Sequence, residues 1–130
     1  MSRKLFNNLT TKETGDKTEQ VAETYLKKKG LKAIARQYRC KLGELDLVML
    51  DANTLVFIEV RYRQSSSFGT AADTVVRRKQ KRVISAAQHF LQSNTQYQAL
   101  NCRFDVIAAK PSNTGTSSLT LDWIQDAFQC

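Results

Sequence analysis

The stretch GELDLVMLDANTLVFIEVRYR, residues 43 to 63, decides how the chain folds. Its two halves consist mostly of leucine, valine, isoleucine, methionine and phenylalanine, and DANT between them is a loop of hairpin length rich in turn formers. Two antiparallel strands are expected, over residues 44 to 50 and 55 to 62. Each carries acid where a buried strand should have none: Glu44 and Asp46 in the first, Glu59 in the second, with Arg61 two residues on. If Leu50 and Leu55 face each other across the loop, the residue numbers of every opposed pair share one sum. Asp46 then stands opposite Glu59 and Glu44 opposite Arg61, both pairs on one face. Opposed Cβ atoms lie about 4.5–5.5 Å apart, so two carboxylates in that position repel, and apolar neighbours make the repulsion worse.

Three things can offset it: a shared proton, a nearby arginine or a divalent cation. Mg²⁺, with Mn²⁺ as the alternative, is a hard ion that takes oxygen ligands and keeps several waters, and Asp46 and Glu59 are its candidate ligands. The carbonyl of Val60 is a further candidate. Glu19, beside Ala22 and Leu26 at the rim of an apolar helical stripe, is placed to reach the same sheet. The competing reading is plain ion pairing, Asp46 with Arg61 or Glu59 with Arg39, on a half-exposed face. A one-residue slip in register would also separate the two acids. The residues alone leave both readings open.

Outward from the hairpin, residues 15 to 29 predict a helix, with Val21, Ala22, Tyr25 and Leu26 at helical spacing, lysines in the last turn and Gly30 beyond it. LKAIARQYRC, 31 to 40, reads as a first strand. RQSSSFGTAAD is loop-like. Residues 74 to 94 then turn helical, with Val83, Ile84, Ala87, Phe90 and Leu91 as the inner stripe. CRFDVIAA, 102 to 109, and LTLDWIQ, 119 to 125, are a fourth and fifth strand, joined by KPSNTGTSS with the chain's one proline. The order helix, three strands, helix, two strands predicts an α/β single domain with a mixed five-stranded sheet flanked by helices. Residues 1 to 14 are expected to form a mobile polar arm.

RRKQKR, residues 77 to 82, places five basic residues at the start of the second helix, where positive charge opposes the helix dipole. A phosphate partner explains that placement better than helix stability does: Arg77, Arg78, Lys81 and Arg82 suit backbone phosphates, and Gln80 suits a base or sugar. An ordinary solvated basic face is the bland alternative. The formal net charge of +8 and a pI near 9.6 point the same way, to nucleic acid. No apolar run approaches the length of a membrane span, and residues 1 to 15 have no secretory h-region. Cys40, Cys102 and Cys130 are odd in number and in no C-x-x-C spacing, so neither a disulfide framework nor a zinc site is indicated. The cytoplasm is the expected location. His89 reads as a surface or edge residue, and Tyr25, Tyr38, Phe57 and Trp123 as core or rim aromatics.

Taken together, GELDLVMLDANTLVFIEVRYR, FGTAADTVVRRKQKR, TTKETGD, YLKKKGL, CRFDVIAA and WIQDAF resemble the YraN family of small bacterial proteins over nearly the whole chain. The resemblance implies a restriction-endonuclease-like fold, similar to the archaeal-type resolvases that cut four-way DNA junctions. It implies Glu19 as the acid of the first helix, Asp46 as the first metal-binding acid, Glu59 and Arg61 as the E-x-K pair, and Lys79 and Gln80 as the Lys-Gln of the following helix. Arginine replaces the usual lysine at 61, and an arginine stays protonated at ordinary pH, so it positions a phosphate rather than taking a proton from water. The implied activity is Mg²⁺-dependent cleavage of DNA, branched or otherwise structured, by a homodimer. The rival functions are a nucleic-acid-binding module that holds DNA without cutting it, and an adaptor whose basic face docks on an acidic protein.

Overall fold

The computed structural model describes residues 11 to 63, 77 to 112 and 119 to 129. Helix α1 (Thr11–Lys28) leads into strands β1 (Lys32–Cys40), β2 (Gly43–Asp51) and β3 (Thr54–Tyr62). Helix α2 (Arg77–Ser93) and a 3₁₀ turn (Thr95–Tyr97) precede β4 (Asn101–Pro111) and β5 (Leu119–Phe128). The five strands form one sheet in the order β1-β2-β3-β4-β5. Only β3 and β4 run parallel, the pair joined through α2; the other neighbours are antiparallel hairpins. These are the elements, the order and the mixed sheet expected of a restriction-endonuclease-like α/β domain. Helix α1 starts at Thr11, so residues 11 to 14, read as part of an arm, are helical; residues 1 to 10 lie outside the described residues.

The central strand explains its own composition. β3 is flanked by β2 and β4 and covered by a helix on each side, so both of its faces are apolar instead of alternating. Val56 and Ile58 pack with Leu47, Met49, Ala22 and Leu26 on the α1 side, while Leu55 and Phe57 pack with Val83, Ala86, Ala87 and Phe90 on the α2 side. Phe57 stacks on Phe104, which stacks on Phe128, with centroids 5.4 and 5.1 Å apart. Phe128 belongs to this core because β5 runs three residues further than its alternating LTLDWIQ pattern suggests.

α1 ends as its sequence predicts. Gly30 takes φ 101°, its N–H reaches the carbonyl of Lys27, and the N–H of Leu31 reaches back to Leu26, closing a Schellman turn over which Leu26 and Leu31 pack. At the other end of the sheet, Gly43 opens β2 hard against α2. A Cβ there would lie 2.3 Å from the backbone oxygen of Arg82, so no side chain fits without moving the helix. Gly43→Ala is therefore expected to destabilise the fold by roughly 1–3 kcal/mol, as overpacking against rigid backbone does, measured by urea denaturation.

Candidate functional site

The β2–β3 register is the expected one: Leu50 faces Leu55, and the ladder continues through Leu47–Ile58. There the pairing stops. Asp46 and Glu59 occupy the next step, where the strands part, and the Oδ2 of Asp46 accepts the N–H of Val60 at 2.9 Å in place of a ladder bond. Glu44 and Arg61, expected to stand opposite each other, lie beyond the end of the β2–β3 ladder. Glu44 is exposed and meets Arg39 across β1 at 3.4 Å, because beyond the end of the β2–β3 ladder its only paired neighbour is β1. Of the ion pairs in the competing reading, Glu59–Arg39 is replaced: Arg39 meets Glu44, and the cationic partner of Glu59 is Lys79.

Strand β2 breaks its own alternation at Asp46. Leu45 packs on the α2 side and Leu47 on the α1 side, although two residues apart they should share a face. β1 does the same at the facing step: Arg36 reaches α1, Tyr38 reaches α2, and Gln37 between them takes φ 47°. This double irregularity turns Gln37 and Asp46 out of the regular pattern, a common use of bulges beside sites. Gln37 donates through Nε2 to Asp16 at 3.1 Å and to Glu19 at 2.9 Å. Asp46 lies beside both Glu19 and Glu59, close enough to raise both carboxyls. The expectation that the acids share one sheet face is thus corrected: Glu19 comes from the α1 side, Glu59 meets Lys79 of α2, and Asp46 joins them where the sheet opens.

The electrostatics follow from that crowding. Glu59 is only 2% exposed. Burial first, and the adjacent Asp46 second, push its carboxyl up to about 8, against the pull of Lys79 Nζ, 2.9 Å from Oε2. Burial likewise pushes Glu19 up to about 7, opposed by the Gln37 hydrogen bond and aided by Asp46. Without a cation Glu19 and Glu59 hold protons near neutral pH that an unfolded chain would release. The folded protein therefore binds more protons than the unfolded one between about pH 4.5 and about 8, and its stability must fall as pH rises through that window. Denaturant midpoints of metal-free protein are expected to decline from pH 5 to pH 8.5, and Glu59→Gln is expected to flatten most of the decline; a parent midpoint that rises over this range would contradict the crowding.

Glu19, Asp46 and Glu59 make a chain of acids, and among the described residues no group of three or more His, Cys, Asp or Glu closes into a metal cage. Two carboxylates beside an opening nevertheless match the donor set of Mg²⁺, which takes one or two protein carboxylates and keeps water in its other positions. Buried, crowded acids that hold protons in the metal-free protein fit that ion. Arg61, two residues beyond Glu59 on the same alternation of β3, is half-buried at the rim.

The basic run opens α2 as expected. Arg77, Arg78, Lys81 and Arg82 are exposed, while Lys79 and Gln80 are half-buried, and Lys79 turns in to Glu59. Lys79 is thus part of the acidic site itself. Sequence reasoning missed two neighbours. Glu23, one helical turn after Glu19, is buried and held well below the usual carboxylate range, first by the Arg36 guanidinium at 2.5 and 2.6 Å and also by Lys27. Asp16 shares Gln37 with Glu19. The i, i+3, i+7 spacing of Asp16, Glu19 and Glu23 was the available signal. His89 is exposed, as expected, and its Nδ1 hydrogen-bonds to the Tyr38 hydroxyl.

Uncharacterised protein family UPF0102 matches this sequence over residues 18 to 109. A UPF0102 protein of Saccharophagus degradans is 46% identical over 116 residues, covering 89% of this chain and 92% of the relative. One from Pseudomonas putida is 48% identical over the same length, with 89% and 92% covered, and one from Nitrosococcus oceani is 45% identical over 120 residues, with 92% and 94% covered.

Proposed function

The chain belongs to the uncharacterised protein family UPF0102, and we propose that it is a Mg²⁺-dependent phosphodiester hydrolase acting on DNA, with branched or structured DNA as its substrate. The observation that carries this reading is the convergence of Glu19, Asp46 and Glu59 where β2 and β3 part, crowded enough to raise Glu19 and Glu59 toward neutrality and above.

Asp46 and Glu59 would hold the cation, with Glu19 orienting a ligand from the α1 side. A bound divalent ion would supply positive charge against the scissile phosphate and make water acidic enough to attack it at neutral pH. The chain's own residues supply the rest. The N–H of Val60 fixes the Asp46 carboxylate, so it is preorganised at no cost on substrate binding. Lys79 balances Glu59 in the free protein, and in the substrate complex its ammonium could turn to a phosphate oxygen. Arg61 stabilises charge on the phosphate without exchanging a proton. Arg77, Arg78, Lys81 and Arg82 hold the flanking backbone, and Gln80 a sugar or base. Symmetric cutting of a branched molecule takes two such sites, so a homodimer on DNA belongs to the proposal.

Arg61 in place of lysine supports a second reading, a binding module that keeps the scaffold and holds DNA uncut. One experiment separates the two. Radiolabelled four-way, forked and linear DNAs are incubated with protein and Mg²⁺ or Mn²⁺, and bound and cleaved fractions are scored over a salt series. A cation-dependent product supports the hydrolase, and binding without product supports the module. In both cases the affinity is expected to fall steeply with salt, and Arg78→Ala and Arg82→Ala are each expected to lower the log–log salt slope by about 1, as loss of one phosphate contact does. Salt-independent affinity would contradict both.

A further inference from the structure

Among the described residues the most exposed large apolar side chain is Leu42, at 59%. A single exposed leucine is ordinary. The placement of this one is not. Lys41 and Leu42 form the tip of the β1–β2 hairpin, beyond the closing pair Cys40–Gly43. The stem is fixed: Gly43 lies directly on the carbonyl of Arg82, and Arg39 and Glu44 pair across it. Lys41, Arg78, Lys81 and Arg82 are all exposed.

The same helix turn serves the acids and the tip. Lys79 of α2 reaches Glu59, and Arg82, three residues later on the same side, meets Gly43. The apolar tip is therefore anchored, through Gly43, on the helix that carries both Lys79 and the exposed cations.

Resting on the DNA reading of the previous section, we infer that Leu42 is a wedge that enters the base stack while Lys41, Arg78 and Arg82 hold the phosphates beside it. Apolar side chains carried on a basic surface open base steps in this manner. Opening a step is costly in continuous duplex and least so where stacking is already interrupted. The wedge therefore selects DNA with a broken stack, a branch point or a mismatch, over uninterrupted duplex.

The test uses protein carrying Asp46→Asn, to prevent cleavage, with a synthetic four-way junction and a duplex of the same sequence. Each carries 2-aminopurine at successive positions near the branch, a base whose fluorescence rises when it unstacks. Binding is expected to raise the fluorescence at one position of the junction. Adding Leu42→Ala is expected to abolish that rise and the preference for the junction, with affinity for duplex kept within about tenfold because phosphate contacts carry it. Leu42→Phe is expected to retain the rise. Tight binding with an equal rise in the Leu42→Ala protein, or no rise at any position, would overturn the wedge alone. Absence of binding to either DNA would overturn the DNA reading and the wedge together.

Discussion

Asp46→Asn and Glu59→Gln are each expected to lower cation-dependent DNA cleavage by at least about a thousandfold, while DNA binding is kept or tightened. Losing one preorganised electrostatic partner of a phosphoryl reaction already costs about 10²–10³ in rate, and each of these acids is here asked to hold the ion itself. Binding should not suffer, because removing a negative charge beside phosphates reduces repulsion. Nor should folding. The asparagine oxygen still accepts the N–H of Val60, and the glutamine ends the crowding that pushes Glu59 to about 8. Loss of activity through unfolding is thus separable: the Glu59→Gln protein is expected to be as stable as the parent, or more so, at pH 8. Full activity in either variant would remove these carboxylates from the chemistry.

Asp105→Ala is expected to destabilise the protein by roughly 3–5 kcal/mol, the range for breaking a buried charged network by removing one partner. Asp105 is fully buried at the middle of β4. Its carboxylate accepts from Arg103 Nε at 3.0 and 3.2 Å, from Trp123 Nε1 at 2.9 Å and from the backbone N–H of Asp126 at 2.8 Å. The last bond has a definite cause. The β4–β5 register shifts between Phe104 and Val106, and Asp126 takes φ 53°, so the bulge turns its N–H out of the ladder and Asp105 takes it up. Arg103 carries the network on to Asp51 at the β2–β3 turn, at 2.9 Å. Truncation takes from Arg103 one of its two carboxylates and leaves an indole N–H and a backbone N–H without their acceptor. Trp123→Phe, which strands part of the carboxylate only, is expected to cost about 1–3 kcal/mol. Urea denaturation followed by circular dichroism measures both; an Asp105→Ala loss below 1 kcal/mol would show the network to be worth little.

The hairpin could be read from residues 43 to 63 because it obeys simple rules: four turn formers between two apolar runs, and a register set by Leu50 and Leu55. Extrapolating that register to Asp46 and Glu59 brought together two acids that do meet, though for a partly wrong reason. The ladder ends one step short, and alternation fails at Gln37 and Asp46, where a positive φ at a glutamine leaves no mark in composition. Glu19 was legible from its rim position on α1. Glu23 was not, since its partner Arg36 comes from a strand whose facing depends on the same irregularity. By composition Lys79 is one more cation in a basic run; the family resemblance set it apart with Gln80, and the packing of α2 on the sheet shows its partner to be Glu59. Asp105 sits in an apolar strand just as Glu59 does. What distinguishes the two acids is satisfaction: Asp105 has donors on several sides, whereas Glu59 faces another acid and a single lysine.

The measurement that bears most directly on the carboxylates is calorimetric titration of Mg²⁺ and Mn²⁺ into the protein bound to a four-way DNA junction with uncleavable linkages, for the parent and for Asp46→Asn and Glu59→Gln. The parent is expected to bind the cation with release of protons, more tightly as pH rises from 6 to 8.5, because the ion displaces protons from Glu19 and Glu59. Both variants are expected to lose that binding. Failure of the parent to bind either cation with DNA present, or equal binding by all three proteins, would contradict the account and leave the acids as a proton-sharing structural cluster.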